Sequence, residues 1–392
     1  MRARWLPLTI AVTSVLGCTR SDISAPQTGM PSLLGYVTQF STNQVDVVDV
    51  VRQNPAQGDP IPVGQGPVRA ILSPGGSEDT LFVANKTDGT ISFVNRRTRS
   101  VQKSVQAGAD PEYLTFETIN SSNPDDEQYL FVSNPSPKTV TRINVATQNA
   151  DDTLSFSNNS TPFVPAGIVA DPDPTRPYIY VVSSTVQSQS SSSSPCSNCT
   201  TTGTLAVITN SAGGLMNQTN SISLPGAVQP DRVILDPKSH HLYISDRGAA
   251  QVFMVDVSNP ASAQEGQPIP INGQSGQTTG GTDGMALSPD GQYLYVTMPS
   301  ANGYYRIATA TQQPSGPYAT GGTEPGPLAM SGDGSFLWIG NIGSSTIYST
   351  DLTGNSCANR GSPCDVQGPV VYSLDSAHVQ PPGDIVLAPG VS

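Results

Sequence analysis

Three short strand patterns recur along the chain in a fixed order, and each occurs seven times. The second pattern is centred on an aromatic residue, which is in turn Tyr36, Phe82, Phe131, Tyr180, Tyr243, Tyr295 and Trp338. The third pattern begins nine residues after this aromatic in six of the seven repeats, and an insertion of sixteen residues follows Tyr180 in the other. A spacing this constant predicts a structural repeat.

The other two patterns are just as regular. The first is an apolar run bounded by prolines or small polar residues, at 67–74, 111–117, 165–172, 230–237, 282–289, 325–332 and 382–389. The third is an alternating strand, at 45–50, 91–96, 140–145, 205–210, 252–257, 304–309 and 347–352. A weaker fourth strand follows, for example at 101–105 and 370–374. Four short strands in each repeat predict the blades of an all-β propeller.

The two ends of the repeat region predict how the ring closes. The repeats begin with a second and a third strand over 33–50 and end on a lone first strand over 382–389. We therefore predict a seven-bladed β-propeller of four-stranded antiparallel blades, closed by a C-terminal strand that joins the N-terminal blade. The alternative, an open solenoid, would need polar capping repeats, and the sequence has none.

Two segments resemble the repeat of the YVTN-type β-propellers. They read SPDGQYLYV at 288–296 and LFVANKTDGTISFV at 81–94. The resemblance covers 33–389 and implies the propeller fold. That family includes surface-layer proteins, periplasmic binding propellers and relatives of seven-bladed sugar lactonases, so the resemblance implies no single activity.

The N-terminus resembles a bacterial lipoprotein signal. Arg2 and Arg4 precede an apolar run that is too short to span a bilayer and ends in Val-Leu-Gly before Cys18. The resemblance implies that Cys18 carries lipid and holds the protein on a membrane. We expect a cell-envelope location, the outer membrane rather than the inner one, with an ordinary secretory signal as the alternative. The expected segments are a signal peptide at 1–17, a lipidated tether at 18–30 and the propeller at 31–392.

The charge balance excludes one class of partner. The formal net charge is −12, and it becomes −14 once Arg2 and Arg4 leave with the signal peptide. Basic residues are not clustered, and an acidic exterior repels a phosphate backbone. We therefore predict no nucleic-acid partner.

The remaining four cysteines form two local pairs, Cys196 with Cys199 and Cys357 with Cys364. In an exported protein such pairs predict disulfides. The alternative for the first pair is a redox or zinc site. That pair lies in a Ser/Thr-rich insertion at 185–203, without a nearby histidine or a further cysteine.

In a propeller, the loops that enter the first strands meet at one mouth of the central channel, together with the loops between second and third strands. The candidate ligand-binding residues at the first-strand entries are Arg69, Glu112, Tyr113, Asp231, Arg232, Asp283 and Asp384. Arg69 and Arg232 hold the same repeat position three blades apart, so they could clamp an anion. The alternative is that each arginine pairs with a carboxylate such as Asp231 or Asp384. The second-to-third loops add Asn85, Lys86, Asp88, Asn134, Lys138, Asp246, Arg247 and Asn341, whose asparagines favour turn formation.

The sequence has few candidate catalytic residues. The chain has three histidines, of which His378 is expected near the mouth, and it lacks the short motifs of serine hydrolases, zinc proteases and phosphate loops. Glu112 and the three mouth aspartates could approach a Ca²⁺ ion from separate blades, but we predict no cofactor.

Three functions remain open. The first is a membrane-anchored binding or scaffolding module for a protein or glycan of the envelope. The second is a lactonase-like hydrolase, in which Arg69 and Arg232 hold an acidic sugar lactone and Glu112 or His378 acts as general base. The third is a structural role in a surface coat.

Overall fold

The repeated patterns form seven antiparallel sheets in the computed structural model. The structure describes residues 33–49, 54–55, 60–73, 80–118, 128–157, 163–183, 203–210, 214–271, 280–352, 372–373 and 382–389. Within each sheet, neighbouring strands are paired in chain order, apart from the one that contains both ends of the described chain. Each sheet is one blade. Blade 1 is the one built from both ends, and blades 2 to 7 follow it along the chain.

The first and second strands of the blades carry most of the apolar residues. The first strands of blades 2 to 7 and then of blade 1 are Pro67–Leu72, Tyr113–Thr118, Pro165–Ala170, Pro230–Asp236, Met285–Leu287, Pro325–Met330 and Ile385–Pro389. The second strands of blades 1 to 7 are Leu33–Gln39, Thr80–Asn85, Gln128–Asn134, Tyr178–Ser183, His241–Asp246, Tyr293–Met298 and Phe336–Asn341.

The third and fourth strands complete each blade. The third strands of blades 1 to 7 are Gln44–Asp49, Thr90–Asn95, Thr139–Asn144, Gly203–Thr209, Gln251–Asp256, Gly303–Ala308 and Thr346–Asp351. The fourth strands are Asn54–Pro55 with Ile61–Pro62, Ser100–Gln106, Asn149–Ser155, Asn217–Leu224, Gln264–Glu265 with Ile269–Pro270, Gln313–Ala319 and Tyr372–Ser373. Two short 3₁₀ helices are Pro260–Ser262 and Pro299–Ala301.

The blades form a closed ring. The first strand of every blade contacts the first strand of the next, and the contact between Ile385–Pro389 and Pro67–Leu72 closes the circle. Ile385–Pro389 is antiparallel to the N-terminal strand, with Leu33 opposite Pro389 and Val37 opposite Ile385. The chain is therefore a seven-bladed β-propeller, and the predicted fold and its closure by a C-terminal strand are confirmed.

The repeated sequence positions fill the spaces between blades. The central aromatic of each second strand is at most 6% exposed. One position near the start of each third strand is a fully buried aliphatic side chain in six blades, namely Val45, Ile91, Val140, Leu205, Val252 and Ile347. We call this the third-strand aliphatic position. Blade 6 differs, because it has Tyr304 there.

Strand direction gives the propeller two distinct faces. The first strands start at the end where the second strands turn into the third, and this end is the mouth. The turns from first to second strands lie at the other end, which we call the opposite face. No helix in the described part of the chain is long and apolar enough to cross a membrane.

Candidate functional site

Six of the seven predicted first-strand residues meet in one connected network at the mouth. Its members, with one addition, are Arg69, Tyr113, Asp231, Arg232, Arg247, Asp283 and Asp384. We call it the axial network. The addition is Arg247, which directly follows the second strand of blade 5.

One half of the axial network runs from Arg69 to Asp231. Arg69 Nη2 donates to the Tyr113 hydroxyl at 3.2 Å, and the guanidinium lies 4.6 Å from the Tyr113 ring centroid. The Tyr113 hydroxyl in turn donates to Asp231 Oδ1 at 2.5 Å. Arg69 Nη1 also donates to the Gly383 carbonyl at 3.1 Å. This half therefore links blades 1, 2, 3 and 5.

Tyr113 reaches Asp231 only because blade 4, which lies between them in the ring, has no large side chain at this level. Its first strand has Ala166 and Gly167 there. A Cβ on Gly167 would lie 2.2 Å from the backbone carbonyl oxygen of Asp231, so the backbones of blades 4 and 5 are in close approach. The glycine thus allows the hydrogen bond between blades 3 and 5.

The other half holds two arginines among three aspartates. Arg232 Nε lies 3.2 Å from Asp283 Oδ1, and its Nη1 lies 3.7 Å from Asp384 Oδ1. Arg247 is shared between Asp231 Oδ2 at 3.1 Å and Asp283 Oδ1 at 3.3 Å. Asp384 Oδ2 also accepts from the Ala70 backbone N–H at 3.1 Å, which joins the closing strand to blade 2.

The network is electrically balanced, with three guanidinium groups and three carboxylates. Burial works against charge on Asp283, but the guanidinium groups of Arg232, Arg247 and Arg69 outweigh it and lower the Asp283 pKa. Burial, and then the Asp231 carboxylate, raise the pKa of the Tyr113 hydroxyl, so Tyr113 stays a hydrogen-bond donor. The lowered pKa keeps Asp283 ionised at neutral pH.

Two of the three arginines are more exposed than the aspartates, whereas Arg69 is buried at 9%. The side chains of Arg247 and Arg232 are 37% and 15% exposed, whereas Asp283, Asp231 and Asp384 are 8%, 9% and 11% exposed. Solvent at the mouth therefore meets positive charge first. Among the described residues, Arg232 Nη2 and Arg247 Nη1 have no hydrogen-bond partner.

Glu112 is the predicted mouth residue that the structure separates from the network. Its Oε2 accepts from Lys86 Nζ at 2.9 Å, and Lys86 is also 3.5 Å from Asp110. These contacts raise the Lys86 pKa against the effect of burial. Glu112 and Lys86 thus neutralise each other beside the mouth.

The asparagines and Asp246 of the second-to-third loops serve the turns. Asn85 Nδ2 donates to Thr90 and Ser92, and Asn134 Nδ2 donates to the Ala107 carbonyl. Asp246 accepts from the backbone N–H groups of 228, 229 and 248. The Asn85 contacts thus serve their own turn, while Asn134 and Asp246 also hold neighbouring loops in place.

Several predictions lie outside the described residues: lipidation at Cys18, the disulfides Cys196–Cys199 and Cys357–Cys364, and the position of His378. In the part of the chain that is described, no group of three or more histidine, cysteine or acidic side chains could hold a metal ion. The mouth aspartates that were candidates for Ca²⁺ face arginines instead.

The fold has relatives among solved structures. The periplasmic gluconolactonase of Pseudomonas aeruginosa superposes with a TM-score of 0.65 at 19% identity, over 91% of this chain and 99% of that one. A candidate 6-phosphogluconolactonase from Bacteroides fragilis gives 0.66 at 15% identity, over 93% and 100%. The hydrazine synthase of Kuenenia stuttgartiensis gives 0.51 at 21% identity, over 76% and 80%.

These likenesses concern the fold. No protein-family model matches the sequence, and no curated protein matches it. The solved relatives include lactonases and a hydrazine synthase, so one propeller architecture carries quite different chemistry. Function has to be argued from the mouth itself.

Proposed function

We propose that this protein is a binding module whose propeller mouth receives a small ligand bearing a carboxylate, with sugar acids as the class. The observation that carries the proposal is that Arg247 and Arg232 are the most exposed members of the axial network, while the three aspartates are more deeply buried. The guanidinium is a planar donor that matches a carboxylate with two parallel hydrogen bonds.

The rest of the molecule makes this positive charge distinctive. With a net charge of −12, the protein as a whole repels anions. A ligand carboxylate placed on Arg232 Nη2 and Arg247 Nη1 would use donors that the described protein groups leave open. The ligand would not need to break either contact with Asp283. The sugar hydroxyls would find acceptors in the carboxylates beneath.

Titration calorimetry of the purified full-length protein with gluconate and glucuronate tests the proposal. Arg232→Gln and Arg247→Gln are each expected to weaken binding about tenfold or more, since each removes a charge-assisted hydrogen bond. Asp283→Asn leaves three arginines against two aspartates and is expected to strengthen binding. The same affinity in all four proteins, or no binding by the wild type, would contradict the proposal.

A lactone hydrolase is the second candidate, and the lactonases among the solved relatives favour it. The mouth arginines would polarise the lactone carbonyl. Neither the axial network nor Glu112 provides a free general base, because each aspartate of the network faces an arginine and Glu112 is bound to Lys86. Hydrolysis of glucono-δ-lactone that Arg232→Gln abolishes would favour this candidate. Hydrolysis at the uncatalysed rate would favour the binding module over the hydrolase.

The proposal includes an envelope location. Cys18 is expected to carry the lipid, and the mouth would then bind an acidic ligand or an acidic group of a neighbouring protein or glycan near a membrane. Incorporation of labelled palmitate that is lost in Cys18→Ser, with release of the protein from the membrane fraction, is the expected result. Equal labelling of both proteins would rule out this anchor.

A further inference from the structure

A cavity of about 390 Å³ lies between blades 6 and 7 on the opposite face of the propeller. Strands of blade 6 and the first-to-second turns of blades 6 and 7 provide its walls, and no residue of the axial network lines it. Its volume falls in the range of small-molecule sites. The cavity is therefore a site separate from the mouth.

Four tyrosines line the cavity: Tyr293, Tyr295, Tyr304 and Tyr318. The Tyr304 ring is 5.2 Å from that of Tyr318 and 6.3 Å from that of Tyr295, centroid to centroid. Tyr304 occupies the third-strand aliphatic position, which is valine, isoleucine or leucine in the other six blades. In blade 6, a group of tyrosine rings beside a cavity therefore stands where the other blades have an aliphatic side chain.

A second departure from the repeat is Arg306, whose guanidinium lies 4.7 Å from the Tyr293 ring centroid. Blade 3 has the same pair at the equivalent positions, Arg142 over Tyr129 at 4.6 Å. Arg142 is 4% exposed, and its guanidinium contacts Asp151 at 2.8 Å as well as Asn210 and Gly214.

Arg306 has no such carboxylate partner, and its guanidinium interacts with the Tyr295 side chain. Arg306 is half-buried, lines the cavity and forms no ion pair in the described part of the chain. Blade 3 therefore serves as an internal comparison: the same arginine–tyrosine pair meets a carboxylate in blade 3, whereas in blade 6 it lines a cavity without one. A ligand that accepts hydrogen bonds would meet the Arg306 guanidinium in this cavity.

Two carboxylates supply acceptors at the rim. Asp290 Oδ1 accepts from Ser288 Oγ at 2.6 Å, and Asp333 Oδ1 accepts from Ser331 Oγ at 2.6 Å. Turn hydrogen bonds of this kind lower the pKa of Asp290 and bring that of Asp333 to about 2. In the described structure the Oδ2 atom of each accepts no hydrogen bond, which leaves it available to a ligand hydroxyl.

We propose that this cavity binds one or two pyranose units of a carbohydrate. A pyranose presents C–H groups on its faces, which suit the negative faces of tyrosine rings, and hydroxyls on its rim. Those hydroxyls both donate and accept, so they match ionised aspartates together with an arginine. The inference concerns a site apart from the mouth and does not depend on the function proposed for the mouth.

Ligand-observed NMR and calorimetry on the full-length protein test this site. The probes are the methyl glycosides of glucose, galactose, mannose and N-acetylglucosamine, with benzamide as a flat, uncharged ring without hydroxyls. Binding of at least one glycoside with a millimolar or tighter Kd is expected. Tyr318→Ala, Tyr304→Val and Arg306→Gln are each expected to weaken it about tenfold, and Arg232→Gln at the mouth is expected to leave it unchanged.

Tyr304→Val restores the aliphatic residue of the other blades, and Tyr318 is half-buried on an outer strand, so both variants keep the repeat pattern. Melting temperatures close to that of the wild type confirm that they are folded. The proposal is overturned if no glycoside binds at about 10 mM, if binding is equal in wild type, Tyr304→Val and Tyr318→Ala, or if benzamide binds as tightly as the sugars.

Discussion

Replacing Asp283 with asparagine tests whether the axial network stabilises the ring. Asp283 Oδ1 faces both Arg232 and Arg247, at 3.2 and 3.3 Å, and the Asp283 side chain is 8% exposed. Removing one partner of a buried ion pair costs about 3–5 kcal/mol, because the other charge stays buried. Arg247 is 37% exposed and solvent screens its part. The expected loss in the free energy of unfolding is therefore about 2–4 kcal/mol.

Chemical unfolding in urea measures this loss, and thermal unfolding is expected to show a lower melting temperature by roughly 3–6 °C. Glu324→Gln is the matched control, since Glu324 is exposed near the same face and has no ion pair among the described residues. The pH dependence gives a second check. Because the Asp283 pKa is lowered in the folded state, its contribution is present at neutral pH and lost as the carboxylate protonates.

The difference between Asp283→Asn and the wild type should therefore shrink below about pH 4. A variant as stable as Glu324→Gln at pH 7 would refute the reasoning, because it would mean that the two arginines need no buried counterion. A difference that does not change with pH would show instead that the asparagine acts through packing.

Three further outcomes follow from the structure. Glu117 is buried on the first strand of blade 3, and burial raises its pKa to about 7 despite a hydrogen bond from Asn210. Its stabilising effect is thus present below the unfolded pKa and lost as the pH rises through 7. Glu117→Gln should gain about 2 kcal/mol over the wild type at pH 8 and nothing at pH 4 by urea unfolding; a gain at both values would contradict this. Gly167→Val should destabilise by about 2–4 kcal/mol and weaken gluconate binding in calorimetry, and an unchanged affinity would separate Gly167 from the mouth. Leu387→Ala in the closing strand should cost about 2–4 kcal/mol in thermal unfolding, against less than about 1 kcal/mol for the exposed Leu215→Ala; equal effects would mean that the closing strand contributes little.

The fold could be predicted from the sequence because every blade packs the same kinds of side chain at the same positions of the repeat. The central aromatic and the third-strand aliphatic position recur at one spacing, and the structure buries both in the same place around the ring. The orphan strand at 382–389 had one possible partner, the blade that lacked a first strand.

The sequence predicted where the site lies but not which side chains pair with each other there. Repeat position placed Arg69, Tyr113 and Arg232 at one mouth, because equivalent residues of successive blades lie at one level. The contact between Tyr113 and Asp231 depends on the small residues of blade 4, which lies between them. Such a contact involves three blades, so it cannot be predicted from the sequence of one repeat. Arg247 was placed in a mouth loop, but its length lets it reach two blades, and only coordinates show which carboxylates it meets.

The split construction of blade 1 also bears on how this protein is made. Its second strand, Leu33–Gln39, emerges early in synthesis, and its partner Ile385–Pro389 follows every other described strand. Contacts between such distant parts of a chain form slowly, so the first blade to leave the ribosome is the last one to be finished. Until then the inner edge of Leu33–Gln39 has no partner strand. A neighbouring copy can pair its own final strand with that edge, which makes exchange of Ile385–Pro389 between two chains the natural misassembly of this ring.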